Sequence, residues 1–213
     1  DLISYGITKN GAQMSADVIL NNQVLDMLNC KYVLTKSQDG KNEEVIPRQT
    51  ALGHAWFADS IVKAESAVEA LKKLNTLNLG KYAVSESKDA APSQIVYSYG
   101  EADNIARTSY SFDTLTYISS NTNKALAVFS EIYYNEKNGS WKVFVNGTEA
   151  KSLKLNYLLR AVELPAGKND VKWVYVPTSR DTFLNLEMAS SGLILLLFLG
   201  LMIRPLFAKE ENA

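Results

Sequence analysis

An α+β chain is expected: a small α/β-sandwich unit, then an antiparallel β-sandwich of jelly-roll or immunoglobulin-like type, then a C-terminal hydrophobic helix. Three observations predict it. Short runs rich in Val, Ile, Tyr, Phe and Trp, bounded by Gly, Asn or Pro, follow one another from residue 94 to Pro177, as strands joined by tight turns do. One well-capped amphipathic helix lies among strands before them. Met188 to Ile203 carries no charge over sixteen residues. The expected boundaries are 1–92 for the α+β unit, 93–182 for the sandwich and 186–208 for a transmembrane helix.

Asp1 to Leu20 shows little periodicity. Asn21 or Asn22 can cap a short helix with Val24, Leu25 and Leu28 on its apolar face. Lys31 to Lys36 reads as a strand, Asp39-Gly40 as a turn, and Trp56 to Lys63 as another strand. Ser66 and Glu69 have capping-box spacing: the hydroxyl takes a backbone N–H and the carboxylate returns to the cap. Val68, Leu71 and Leu74 then form a stripe, and Lys72 and Lys73 sit where the helix dipole favours cations. Lys81 to Glu86 returns as a strand, and Ala90-Ala91-Pro92-Ser93 reads as a connection.

From Gln94 only strands are expected: Ile95–Tyr99, Ile105–Phe112, Leu115–Asn121, and runs at 125–134, 141–148, 156–167 and 171–177. Residues 125–134 are apolar at nearly every position, so both faces should be covered and the strand central. Asn146-Gly147 suits the two positive-φ positions of a type I′ hairpin. The uncharged C-terminal stretch rises roughly 24 Å at about 1.5 Å per residue, against the ~20 residues of a full span. Snorkelling of Arg204 extends it through Ala208. Arg204 and Lys209 after the span put the C-terminus inside and the domain outside.

Composition narrows the function. With 22 Lys+Arg against 23 Asp+Glu, no basic surface for nucleic acid is expected. One cysteine, Cys30, allows no internal disulfide. One histidine, His54, gives no His cluster or Cys/His zinc pattern, and no nucleophile motif accompanies it. Gly-x-Gly-x-x-Gly and the P-loop pattern are missing from the sequence, and no cofactor is expected. Asn138-Gly139-Ser140 and Asn146-Gly147-Thr148 match the glycosylation pattern but read better as Asn-Gly turns.

Aromatic rings bind the C–H faces of sugars, so Trp141, Tyr134, Tyr133 and Tyr157 are glycan-binding candidates, with Trp173 beside them; filling a sandwich core is their alternative role. Trp141 is favoured because it opens a strand near a loop end. Glu131 interrupts one apolar strand and Arg160 another. A buried charge needs a partner, so the two are expected to form a structural ion pair, and losing Arg160 is expected to strand Glu131. One carboxylate without a second is poor equipment for glycoside hydrolysis.

The blocks "VLDMLNCKYVL" at 24–34, "ALGHAWF" at 51–57, "FSEIYY", "GSWKVFVNG" and "NYLLRAVELPAG" resemble the C-terminal end of the YfhO family of bacterial membrane proteins. The resemblance covers most of the chain from Val24 onward. It implies the last extracytoplasmic domain and final membrane helix of a multi-spanning protein similar to membrane glycosyltransferases that use lipid-linked sugars. The opening on Asp1, with Met14 the first methionine, agrees with such a piece. In those relatives the catalytic acidic residues lie in an early loop outside this chain, so no catalytic residue is expected here. The implied partners are the membrane, the upstream transmembrane region of the same protein and a glycan or lipid-linked sugar. The implied location is the bacterial inner membrane, domain outward, in cell-envelope glycosylation. The alternatives are a stand-alone membrane-anchored carbohydrate-binding or adhesion module, and an extracytoplasmic hydrolase, for which no carboxylate pair is evident.

Overall fold

The computed structural model describes residues 22–36, 42–87, 96–136, 139–177 and 180–207. The expected segments before Asn22, at Asp39-Gly40, at Ala90–Ser93, at Asn138 and after Phe207 lie outside them.

Asn22 caps α1 (Gln23–Met27), its side-chain oxygen accepting from the Val24 and Leu25 N–H groups. Strands β1 (Tyr32–Lys36) and β2 (Glu43–Pro47) form an antiparallel hairpin. The single strand expected at 56–63 is two: β3 (Ala55–Ala58) and β4 (Ser60–Ala64), in different sheets. The break falls at Asp59, which donates its N–H to the Lys81 carbonyl and accepts from the Tyr97 N–H, each at 2.7 Å. Helix α2 (Ala67–Leu74) carries β4 to β5 (Tyr82–Glu86), which pairs with β4 in parallel. A parallel pair needs such a crossover. Ser66 caps α2 through the Glu69 N–H at 3.2 Å, but the Glu69 carboxylate returns to the Glu65 N–H at 2.8 Å, one residue before the cap. A cap of this kind contributes about 1 kcal/mol.

Of the strand expected at 95–99, Ile95 is outside the described residues, and Val96 makes one bridge to Ser60 while Tyr97–Gly100 runs irregularly. The sandwich strands follow: β6 (Asn104–Tyr110), β7 (Thr114–Asn121), β8 (Ala125–Ile132), β9 (Asn135–Glu136), β10 (Gly139–Val145), β11 (Thr148–Ala150), β12 (Leu153–Leu155), β13 (Leu159–Leu164) and β14 (Gly167–Val176). One antiparallel sheet runs β11-β10-β14-β7-β6, the other β12-β13-β8-β3. Asn146 and Gly147 have φ of 52° and 82° in the two-residue loop between β10 and β11, as a type I′ turn requires. The Asn146 side chain also bonds Asn169 and the Asp170 N–H, fastening the turn to β14.

Strand β8 lies inside its sheet, as its apolar run predicts. Its alternate side chains feed two cores. Ala125, Ala127 and Phe129 face the other sheet, packing on Tyr117, Val171 and Trp173. Leu126 and Val128 face a second core shared with α1, α2, β4 and β5. Strand β3 pairs with β8 from Ala55↔Phe129 to Ala58↔Leu126. That pairing corrects the expected boundary at residue 92: Asp1–Tyr134 and Trp141–Tyr175 form one compact unit. Trp56 and Phe57 explain it, because each fills a different core and the strand is therefore apolar on both faces.

A second compact unit comprises Asn135–Ser140 and Val176–Ala213. In it β9 pairs with the first residues of β10, and Arg180–Phe207 forms the helix α3. Thr182–Ile203, 22 residues, is long and apolar enough to cross a membrane. Its apolar side chains, such as Leu193, Leu196 and Phe198, are exposed. A helix that is apolar all round has no face suited to water.

Candidate functional site

At the end of β8 and the start of β13 the sandwich carries charge, with Arg160 buried. Leu159 pairs with Ile132 but Arg160 with Phe129. Ser130 and Glu131 therefore oppose a single step of β13, a β-bulge. Bulges re-aim side chains. Here the Ser130 hydroxyl turns to the Gly53 and Met27 carbonyls at 2.6 and 2.9 Å, and Glu131 is aimed at arginine.

Glu131 Oε2 lies 3.6 Å from Arg160 Nη2 and Oε1 lies 3.9 Å from Arg107 Nη1. The predicted ion pair is formed, but as a Coulombic contact. At these separations the contact is longer than a charge-assisted hydrogen bond, and two guanidinium groups face one carboxylate. The burial is unequal: the Arg160 side chain is 4% exposed and that of Glu131 26%. The sequence offers no sign of Arg107's part, since it lies in a strand of mixed polarity.

Aromatic rings complete the environment of Arg160. Its guanidinium lies 4.3 Å from the Trp141 ring centre and 5.0 Å from that of Trp173. Such cation–π contacts contribute about 0.5–2 kcal/mol each and partly replace lost hydration. Arg160 Nε and Nη1, the Tyr117 hydroxyl and Trp173 Nε1 are buried without a hydrogen-bonding partner among the described residues. Burial lowers the Arg160 pKa to about 10, with Glu131 and then Tyr117 opposing the fall. Burial, then Glu131, raises Tyr117 to about 12, and the two arginines oppose the rise.

The linkage signs are opposite. Tyr117 contributes stability that is complete below the ordinary tyrosine value of 10 and is lost as pH rises through about 12. Arg160 costs stability while the buried group is charged, and this cost is relieved as pH rises from about 10 towards its ordinary value. Tyr117→Phe is expected to remove the latest step of phenolate formation followed by ultraviolet absorbance. An unchanged late step would assign it to another tyrosine.

The aromatic candidates separate. Trp141 and Tyr175 pack with ring centres 5.6 Å apart, and Tyr134 lies 6.2 Å from Tyr175. Trp141 is partly buried against the core, whereas Tyr134 is 39% exposed. Trp173 is fully buried and packs on Phe129 at 5.3 Å. Tyr157 lies elsewhere, in the loop between β12 and β13 at φ 71°, packed on the other core with Lys154 5.6 Å from its ring centre. Tyr133 donates its N–H to the Leu158 carbonyl at 2.7 Å. The structure thus gathers Trp141, Tyr134, Glu131 and Arg160, adds Arg107 and Tyr175, and leaves Tyr157 apart. His54 Nδ1 is 3.2 Å from Asn29 Nδ2, and burial, then Arg107 and Lys31, lowers its pKa.

An accessible tyrosine, a partly buried tryptophan, a partly exposed carboxylate and an arginine can offer a planar apolar surface beside hydrogen-bonding groups. Among the described residues, no three His, Cys, Asp or Glu side chains gather as a metal site. Comparison of the chain with protein families, curated proteins and solved structures finds no match.

Proposed function

We propose that this chain is a membrane-anchored extracytoplasmic domain that recognises a glycan without transforming it, acting as an accessory part of a multi-spanning, glycosyltransferase-like protein of the YfhO type. The observation that carries the reading is the meeting of Tyr134, Tyr175 and Trp141 with Glu131, Arg107 and Arg160 at one end of the sandwich. Sugars present apolar C–H faces and polar hydroxyls together, and this surface carries groups for both. The apolar helix α3 supports anchoring, and the sequence blocks quoted above support the relationship to the family.

The test is titration of the full chain in lipid nanodiscs with cell-envelope oligosaccharides, followed by tryptophan fluorescence. Tyr134→Ala with Trp141→Ala is expected to weaken binding by about tenfold or more, equivalent to roughly 1.4 kcal/mol. Binding unchanged in the double variant would make both rings packing residues. Sugar transfer or hydrolysis by this chain alone would overturn the non-catalytic reading.

A further inference from the structure

The turn between β6 and β7 holds a large apolar side chain in water. Phe112 is 90% exposed and Tyr110 is 67% exposed. The turn is well braced: the Ser111 N–H donates to the Thr114 carbonyl at 2.8 Å, the Thr114 N–H to Ser111 Oγ at 3.1 Å, and Ser111 Oγ to Asp113 Oδ1 at 2.8 Å. The turn is therefore held by its own hydrogen bonds, and the exposed Phe112 ring is not part of the folded core. A polar residue would serve this turn equally well unless the ring meets something outside the domain.

The last residues of β14 indicate what it meets. Val174 pairs with Thr114, and the Tyr175 N–H donates to the Asp113 carbonyl at 2.8 Å. The chain therefore leaves the sandwich beside this turn. The apolar span begins at Thr182, and the intervening residues reach at most about 25 Å when fully extended. If α3 spans a bilayer, as the reading above holds, this end of the sandwich is tethered at the bilayer surface.

We infer that Tyr110 and Phe112 dock into the headgroup region of the lipid bilayer, as a second contact in addition to the helix. Aromatic side chains favour that region, where an apolar ring is covered while its polar neighbours stay wet. Arg107, stacked 5.1 Å from the Tyr110 ring centre, and Asp113 flank the turn with opposite charges. Docking therefore rests on the rings rather than on anionic lipid. It would also hold the Glu131 cluster close to the membrane through Arg107.

The experiment uses the full chain with Cys30→Ser in phosphatidylcholine vesicles, with one fluorophore placed in turn at Ser109→Cys, Glu101→Cys or Leu195→Cys. Lipids carrying nitroxide quenchers at the headgroup or deep in the acyl chains report the depth of each. Quenching of Leu195 by deep nitroxides, of Ser109 by headgroup nitroxides and of Glu101 by neither is expected. Tyr110→Ser with Phe112→Ser should reduce quenching at Ser109 to the level of Glu101. If Leu195 is embedded while Ser109 matches Glu101, or if the serine substitutions leave Ser109 quenched, the docking inference fails alone. Shielding of Ser109 from water without lipid quenching would indicate a protein partner and also overturn it. If Leu195 itself is not quenched, the membrane reading falls and this inference with it.

Discussion

Replacing Arg48 with methionine is expected to destabilise the domain by about 3–5 kcal/mol, the usual cost of stranding one member of a buried ion pair. The Arg48 side chain is 0% exposed, and its Nη2 donates to Asp26 Oδ1 at 2.5 Å and to the Asn22 carbonyl at 2.9 Å. Thr50 Oγ1 donates to the same carboxylate oxygen at 2.5 Å. Arg48 thus ties the segment after β2 to α1 and to its cap. Methionine fills much of the volume but leaves the Asp26 charge with Thr50 as its remaining side-chain donor among the described residues. Asp26→Leu with Arg48→Met is expected to be milder than Arg48→Met, because an apolar pair strands no charge. Urea unfolding followed by tryptophan fluorescence measures the difference. A loss under about 1 kcal/mol for Arg48→Met would show that water replaces the arginine.

Glu131→Leu is expected to be more damaging than Arg160→Met, the variant for which the sequence predicts a severe loss. The sequence places two charges in apolar strands and implies that Glu131 is the group stranded by loss of its partner. The structure instead leaves Glu131 partly in water and near Arg107. Arg160 is buried between two indoles, close to no carboxylate oxygen but those of Glu131 among the described contacts. Removing Glu131 leaves a dehydrated cation with only ring faces, at a cost of about 2–4 kcal/mol. Removing Arg160 also removes the buried N–H groups that lack partners, so a methionine there is expected to cost under about 2 kcal/mol. The double variant should lie near Arg160→Met. Equal losses for the two single variants, measured by urea midpoint, would contradict this account.

The sequence alone determined the elements whose causes are local. Ser66 with Glu69 starts α2, Asn146-Gly147 makes the β10–β11 turn, and the unbroken apolar run at 125–134 makes β8 central. The α+β class and the apolar C-terminal helix follow from the same patterns of period and charge. Candidate residues were legible when they broke a pattern, as Glu131 and Arg160 break apolar strands. Only the tertiary structure decided that Ala55–Ala58 joins the sandwich, because strand pairing depends on partners about seventy residues away and not on local preference. It also decided that Arg107 and Tyr175 join the cluster while Tyr157 does not. Those placements arise from sheet order, from a bulge that turns Glu131, and from a loop that carries Tyr157 onto the other core. Side-chain composition along a strand records which faces are buried, but not which distant side chains share the space. That information resides in the register between strands, which the chain settles only when both cores pack at once.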